Sequence, residues 1–238
     1  PQHRLTQRNS MRSEALSTSP DRPQYPRNTL FMNRGDGAYA EIAQYAGVDA
    51  TEWSWMPIFL DVDLDGYEDL LIPNGFIRDN MNMDVQNQIR QLNAGKKMLS
   101  VEELSQRKLF PPLATPNLAF RNLGNFRFED LSQEWGFDTP GISQGACLAD
   151  LDNDGDLDVI VNNMNELAGL YRNNSSAPRV VVRLRGRVAN THGIGARITV
   201  TGGPVPQSQE ITCGGRYLSC DEAMRVCAAG SVTAKDLR

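Results

Sequence analysis

The sequence predicts a mainly β protein made of blade-sized units of about four short strands. A helical insertion interrupts the units, and a smaller β-rich segment follows them. Three observations carry this expectation. One stretch of the chain occurs twice: residues 30–74 align without a gap with residues 119–163. Each copy alternates short apolar runs with turns rich in Gly and Asp. Each copy also contains an acidic loop of nine residues between two apolar runs.

Composition narrows the classes. The chain has 238 residues, 40% hydrophobic and 22% charged, which is a globular balance. It has no apolar run of about 18 residues, so no membrane-spanning segment is expected. The net charge of −5 argues against a nucleic-acid partner, whose footprint is basic. With His3 and His192 as the only histidines, a His-rich metal centre or a Ser-His-Asp site is hard to assemble.

Residues 1–27 are a polar extended segment without the apolar stretch of a signal peptide. Because the first residue is Pro1, a leader already removed is left open. Residues 28–75 form the first unit. Thr29–Asn33 reads as a strand, Arg34-Gly35-Asp36-Gly37 as a turn, and Ala38–Ala43 as the returning strand. After a loop to Trp55, Ile58–Asp61 runs into the acidic loop and Asp69–Ile72 runs out of it. Residues 76–116 are the insertion. Met81, Val85, Ile89 and Leu92 fall at helical spacing. Ser100 with Glu103 makes a capping box for a second helix, which Pro111-Pro112 ends. The insertion reads as a solvated bracket between blades, with a partner-binding arm as the alternative.

Residues 117–176 repeat the first unit. Identities fall at Asn33/Asn122, Gly35/Gly124, Gly47/Gly136, Ser54/Ser143 and Asn74/Asn163, and in the acidic loop at Asp61/Asp150, Asp63/Asp152, Asp65/Asp154, Gly66/Gly155 and Asp69/Asp158. A third copy begins at Leu170-Tyr-Arg-Asn173, echoing Leu30–Asn33, and then stops. Residues 177–238 read as a separate small β domain, with strands at Val180–Leu184, Ala196–Val200 and Glu210–Thr212.

The chemistry lies in the two loops. The first holds Asp61, Asp63, Asp65, Gly66, Tyr67 and Asp69; the second holds Asp150, Asp152, Asp154, Gly155, Asp156 and Asp158. Carboxylates at loop positions 1, 3 and 5 converge when Gly at position 6 turns the chain sharply. Position 7 offers a backbone carbonyl, from Tyr67 or Asp156, and position 9 a further carboxylate. Hard oxygen ligands in a flexible loop suit Ca²⁺, so two calcium sites are expected. An EF-hand would carry an acid at position 12, where this chain has Ile72 and Val161. A metal-free acidic turn is the bland alternative, and the in-register duplication counts against it. Phe59–Asp63 also has the look of a phosphatase nucleophile loop. Tyr67 or Asp156 after the Gly, the duplication and the lack of βαβ alternation disfavour that reading.

The strand, Asp-x-Asp-x-Asp-Gly-x-x-Asp loop and strand resemble the FG-GAP/VCBS repeats of integrin-like β-propellers. The tail segments Pro206–Glu210, Gly214–Ser219, Arg225-Val226 and Ala229-Gly230 resemble the ASPIC/UnbV domain. Together they are similar to the CRTAC1-like family in a bacterial style, with Cys220 and Cys227 departing from the usual pattern. The resemblance implies about seven blades, a secreted, periplasmic or cell-surface location, and binding rather than catalysis. Two blades cannot close a ring. Missing upstream blades or other protein chains are therefore the expected partners, with a glycan as a further candidate ligand. A structural subunit of a larger assembly, with calcium as a staple, is the alternative function.

Arg34-Gly35-Asp36 is explained as a turn, since the second copy has Leu123-Gly124-Asn125 there. Asn173-Asn-Ser175 and Asn174-Ser-Ser176 fit a glycosylation pattern. Cys213, Cys220 and Cys227 leave a Cys213–Cys220 or Cys220–Cys227 disulfide and free thiols equally open, beside Cys147. Trp53, Trp55 and Trp135 read as blade packing, with a sugar-stacking platform as the alternative.

Overall fold

The computed structural model describes residues 27–95, 101 and 105–231. The expectations for residues 1–26, for the capping box of Ser100 and Glu103, and for residues 232–238 lie outside the described residues. Short strands dominate. They are β1 (Phe31–Asn33), β2 (Tyr39–Glu41), β3 (Ile58–Leu60), β4 (Asp69–Ile72), β5 (Thr115–Pro116), β6 (Leu118–Asn122), β7 (Phe128–Asp130) and β8 (Pro140–Gly141). Then come β9 (Ser143–Ala149), β10 (Asp158–Asn163), β11 (Gly169–Tyr171), β12 (Arg179–Val182), β13 (Arg197–Val200), β14 (Gln207–Glu210) and β15 (Arg225–Ala228). Helices α1 (Ala43–Ala46) and α2 (Met83–Asn93) accompany them, with a 3-10 turn at Arg107–Leu109.

The sheets are out of phase with the repeat. The expectation was one blade per sequence unit, in residues 28–75 and 117–176. Instead, the four-stranded sheet runs β3-β4-β6-β7. It joins the acidic-loop hairpin of the first unit to the opening hairpin of the second. The next sheet, β11-β10-β9, joins the acidic-loop hairpin of the second unit to the opening strand of the third copy. The two junctions share one register: Leu70 opposes Phe120, and its repeat twin Val159 opposes Tyr171. The opening hairpin of the first unit, β1-β2, stands as a two-stranded sheet. Among the described residues the sheets do not close into a ring.

Burial explains the phase. All four residues of β4 are buried, so both faces of this strand need cover. Leu71 and Ala119 face a core shared with Leu148 and Val161 of the three-stranded sheet. Leu70, Ile72 and Phe120 face a second core, closed by Ala43 and Ala46 of α1. Helix α1 ends at Gly47, whose φ of 82° is a left-handed cap. Each fully buried aliphatic side chain contributes about 1.5–3 kcal/mol, and a half-covered β4 would forfeit one face of it.

The insertion is pinned at its base. Phe76 and Leu113 exchange backbone hydrogen bonds of 2.9 and 2.8 Å, which lets β4 and β6 pair although Ile72 and its partner Leu118 lie 46 positions apart. Helix α2 starts at Asn82, whose side chain accepts from the Val85 N–H, and none of its residues is buried. An unburied helix is compatible with the solvated bracket and with the partner-binding arm alike.

The tail is less separate than its sequence texture suggests. Met224, Val226 and Ala228 belong to the same core as Ile58 and Leu148. Strand β12 pairs with β15, and β13 with β14. Residues 225–228 are a strand that sequence patterning did not mark.

Candidate metal centre

The two acidic loops fold alike. Positions 4 and 6 of each take left-handed backbone: Leu64 and Gly66 at φ 56° and 99°, Asn153 and Gly155 at 62° and 92°. That geometry folds the loop over its own carboxylates. Position 1 accepts from the position 5 N–H, at 3.0 Å for Asp61 and 3.1 Å for Asp150. Position 5 accepts from the position 7 N–H, at 2.9 Å for Asp65 and 3.0 Å for Asp154. The outcome is two carboxylate triads, Asp61/Asp63/Asp65 and Asp150/Asp152/Asp154. In each triad one oxygen per residue lies within 4.8 Å of the others.

Position 9 also has a fastening role. The Asp69 carboxylate accepts from the Val62 N–H of its own loop at 2.9 Å and from the Asn122 N–H of the next unit at 2.8 Å. Asp158 repeats this with Leu151 at 2.9 Å and Asn173 at 2.8 Å. Both residues are almost fully buried. They fasten each loop to the opening strand of the following unit. Sequence spacing marked these residues as ligands and gave no sign of the fastening, since the acceptors' partners are backbone groups in the next copy.

Cations from the protein face both triads. Arg121 meets Asp63 at 2.6 Å and Asp65 at 3.3 Å. Its repeat twin Arg172 meets Asp152 at 2.7 Å. The second loop gains two more arginines from the tail. Arg179 pairs with Asp156 and lies 3.6 Å from Asp154, and Arg183 lies 3.9 Å from Asp150. The first unit hides this role, because Met32 stands at the matching position.

Electrostatics show the strain of gathered carboxylates. Burial pushes Asp61 up to about 7, and repulsion from Asp65 and Asp63 adds to it against hydrogen bonds from the Gly66 and Asp65 N–H groups. Burial likewise pushes Asp69 up to about 7. Asp156 rises to about 6 through burial, although Arg179 opposes the rise. One buried oxygen of Asp63 and one of Asp156 have no hydrogen-bond partner. Such a donor set, all oxygen and partly desolvated, fits a hard divalent cation. Asp61, Asp63 and Asp65 with the Tyr67 carbonyl would hold it in the first loop. Asp150, Asp152 and Asp154 with the Asp156 carbonyl would do so in the second.

The remaining candidates resolve into structure. Arg34 and Asp36 form an ion pair at 3.0 Å within the β1-β2 turn, and Asp36 also accepts from the Ala38 N–H. Trp53 and Trp55 stack on Phe76 at 4.3 and 5.6 Å, Trp55 also meets Tyr217, and its indole N–H donates to the Gly75 carbonyl. All four cysteines are free thiols, so neither disulfide considered is formed. Burial pushes Cys227 up to about 11. A cavity of about 360 Å³ lies beside the first loop, with Asp61, Glu68, Arg216 and Arg225 in its wall. Arg216 is taken up by Asp221, and Arg225 by the Glu210 carbonyl. No helix among the described residues is long and apolar enough to cross a membrane.

A family model described as an FG-GAP-like repeat matches residues 114–161. The match runs from β5 through the second acidic loop into β10, so this part of the chain is similar to such repeats. None of the curated proteins compared matches the chain.

Proposed function

We propose that this chain is a calcium-stapled binding module of the β-propeller type, extracytoplasmic and non-catalytic. The observation that supports it most is the pair of carboxylate triads held at equivalent positions of two repeats. Each triad would take one Ca²⁺, with the carbonyl of Tyr67 or Asp156 as a further ligand. Asp69 and Asp158 complete the set; each of their oxygens keeps a lone pair beyond the hydrogen bond it accepts. Calcium relieves the mutual repulsion of the carboxylates and fixes the strands that enter and leave each loop. The loops join strands of one sheet, so there is no helix pair for the ion to open, and its role is stability rather than signalling. The module's ligand is another protein or a glycan, in adhesion or assembly. The likeness of the tail to ASPIC/UnbV domains, and of the whole to CRTAC1-like proteins, belongs to this reading.

A second reading, a subunit of a larger assembly, draws on the strand edges of β1 and β11 that are open among the described residues. The test is a titration of the full chain with calcium followed by heat unfolding. On the first reading, calcium raises the melting temperature and Asp63→Ala removes part of the rise. Equal melting curves in calcium and in chelator would refute the calcium staple.

A further inference from the structure

A cavity of about 360 Å³ opens where the tail meets the first acidic-loop hairpin, a volume within the range of small-molecule sites. Three stretches of chain build it. Strand β3 and the loop after it supply Phe59 and Glu68, the β9-β10 hairpin supplies Leu148 and Leu157, and the tail supplies Arg225 and Val226.

Most charges in its wall are spent on the wall itself. Asp61 gives its two oxygens to the Asp65 and Gly66 N–H groups, at 3.0 and 2.8 Å. Asp221 accepts from the Leu148 N–H at 3.0 Å and from the Arg216 guanidinium at 2.7 Å, which ties this side to β9. Arg225 donates to the Glu210 carbonyl at 2.7 and 2.9 Å and to the Met224 carbonyl at 2.6 Å. The wall is therefore set before any occupant arrives, which lowers the cost of binding.

Glu68 is different. Among the described residues its carboxylate has no hydrogen bond and no ion pair; only its carbonyl accepts, from the Asn122 side chain at 3.0 Å. Arg216 and Arg225 act on it at longer range without pairing with it. Phe59, a large apolar side chain left 41% exposed, borders the same space. An anion would find both arginines engaged and an unanswered carboxylate in its way. A hard metal ion would find too few free oxygens, because Asp61 faces its own loop. A cation with an apolar body meets Glu68 with its charge and Phe59, Leu148 and Val226 with its carbon.

We propose that this cavity binds an organic cation, an ammonium or guanidinium group on a short aliphatic stem. Glu68 supplies the counter-charge, and the Phe59 ring borders the cation and its stem. The cation comes from a free amine or guanidine, or from the lysine or arginine side chain of another protein. The chemistry is shared, and the test separates the sources. The inference goes beyond the calcium staple and does not depend on it.

The test titrates the full chain with four probes of one stem length: butylguanidinium, butylammonium, butanol and butyrate. Backbone amide shifts of the cavity residues are read by NMR at pH 7.5. Millimolar calcium is present throughout, and the outcome is readable whether or not the loops take it up. Both cations should give saturable shifts at cavity residues with a Kd of about 1 mM, while the alcohol and the anion should not. Glu68→Gln should weaken the cations about tenfold or more, the scale of a charge-assisted hydrogen bond. Phe59→Leu should weaken them about threefold, and Asp84→Asn, on α2 outside the cavity, should change nothing. A blocked Gly-Arg-Gly peptide tells the sources apart. Binding at least as tight as butylguanidinium assigns the cation to a partner's side chain, and exclusion assigns it to a free small molecule. No saturable shift from either cation at tens of millimolar would overturn the proposal. So would equal binding of butanol or butyrate, or unchanged cation binding in Glu68→Gln. Should that variant fail to fold, the four probes on the unaltered chain still decide.

Discussion

The two acidic loops share a backbone and differ in their surroundings. In the first, Asp61 is buried, Asp63 and Asp65 are half-buried, and one arginine, Arg121, faces the triad. In the second, Asp152 and Asp154 are exposed, and Arg172, Arg179 and Arg183 stand around the loop. The tail presses on both: a Cβ on Gly66 would meet Val205 at 2.8 Å, and one on Gly155 would meet Val181 at 3.1 Å. The difference teaches that loop spacing sets where the carboxylates point, while the packed neighbours set what it costs to keep them charged. In the first loop burial holds a proton on Asp61 up to about pH 7 when no metal is bound. The second has its charge partly answered by side chains.

What the loops share should give the largest effect. Asp69→Ala and Asp158→Ala each remove two charge-assisted hydrogen bonds and leave two backbone N–H groups without an acceptor. Each change should cost about 3 kcal/mol, read by denaturant unfolding. A small loss at either position would mean that the fastening is not common to both loops.

The next effect should separate the loops. Asp61 has a folded-state pKa of about 7, above its ordinary value of 3.8. Between those values the unfolded chain has lost the proton and the folded chain still holds it. Stability without metal should therefore fall as pH rises from about 4 to about 7, and level off above. Asp61→Asn should flatten only its share of that slope, because Asp69 and Asp156, raised to about 7 and about 6, titrate in the same range. Asp154, held below the usual carboxylate range by the Asp156 N–H, should leave the slope in place when changed to Asn. Calorimetric melting across this pH range in chelator would check both.

A smaller effect is expected from calcium itself. At ten times the dissociation constant, each occupied site adds about 1.4 kcal/mol. Below pH 7, uptake at the first loop should release protons, because Asp61 must ionise to bind. The smallest effect concerns the arginines. Arg121→Gln and Arg172→Gln each remove a competing cation from a triad and should tighten calcium binding by about twofold, the scale of one partly exposed ion pair.

Much of this was legible in the sequence. The duplicated loops, the strands on either side of them and the helical insertion all follow from residue patterns a few positions long. The phase of the sheets was not legible, since pairing of β4 with β6 across the insertion is a tertiary choice driven by burying both faces of β4. The fastening by Asp69 and Asp158 was hidden for the same reason: ligand spacing within one loop does not show the backbone N–H groups of the next unit. Arg121 gave no signal, because the first copy carries Met32 there. The tail's share in the main core was masked by its change of texture after Pro178.

The central claim is that the duplicated loops are two calcium sites. It is tested most directly by counting calcium bound to the full chain at pH 7.5 by equilibrium dialysis, for the unaltered chain and for Asp63→Ala and Asp152→Ala. The account predicts two ions per chain, falling to one in each variant and to none in the double variant. No bound calcium in the unaltered chain at millimolar concentration, or a count unmoved by both changes, would contradict it.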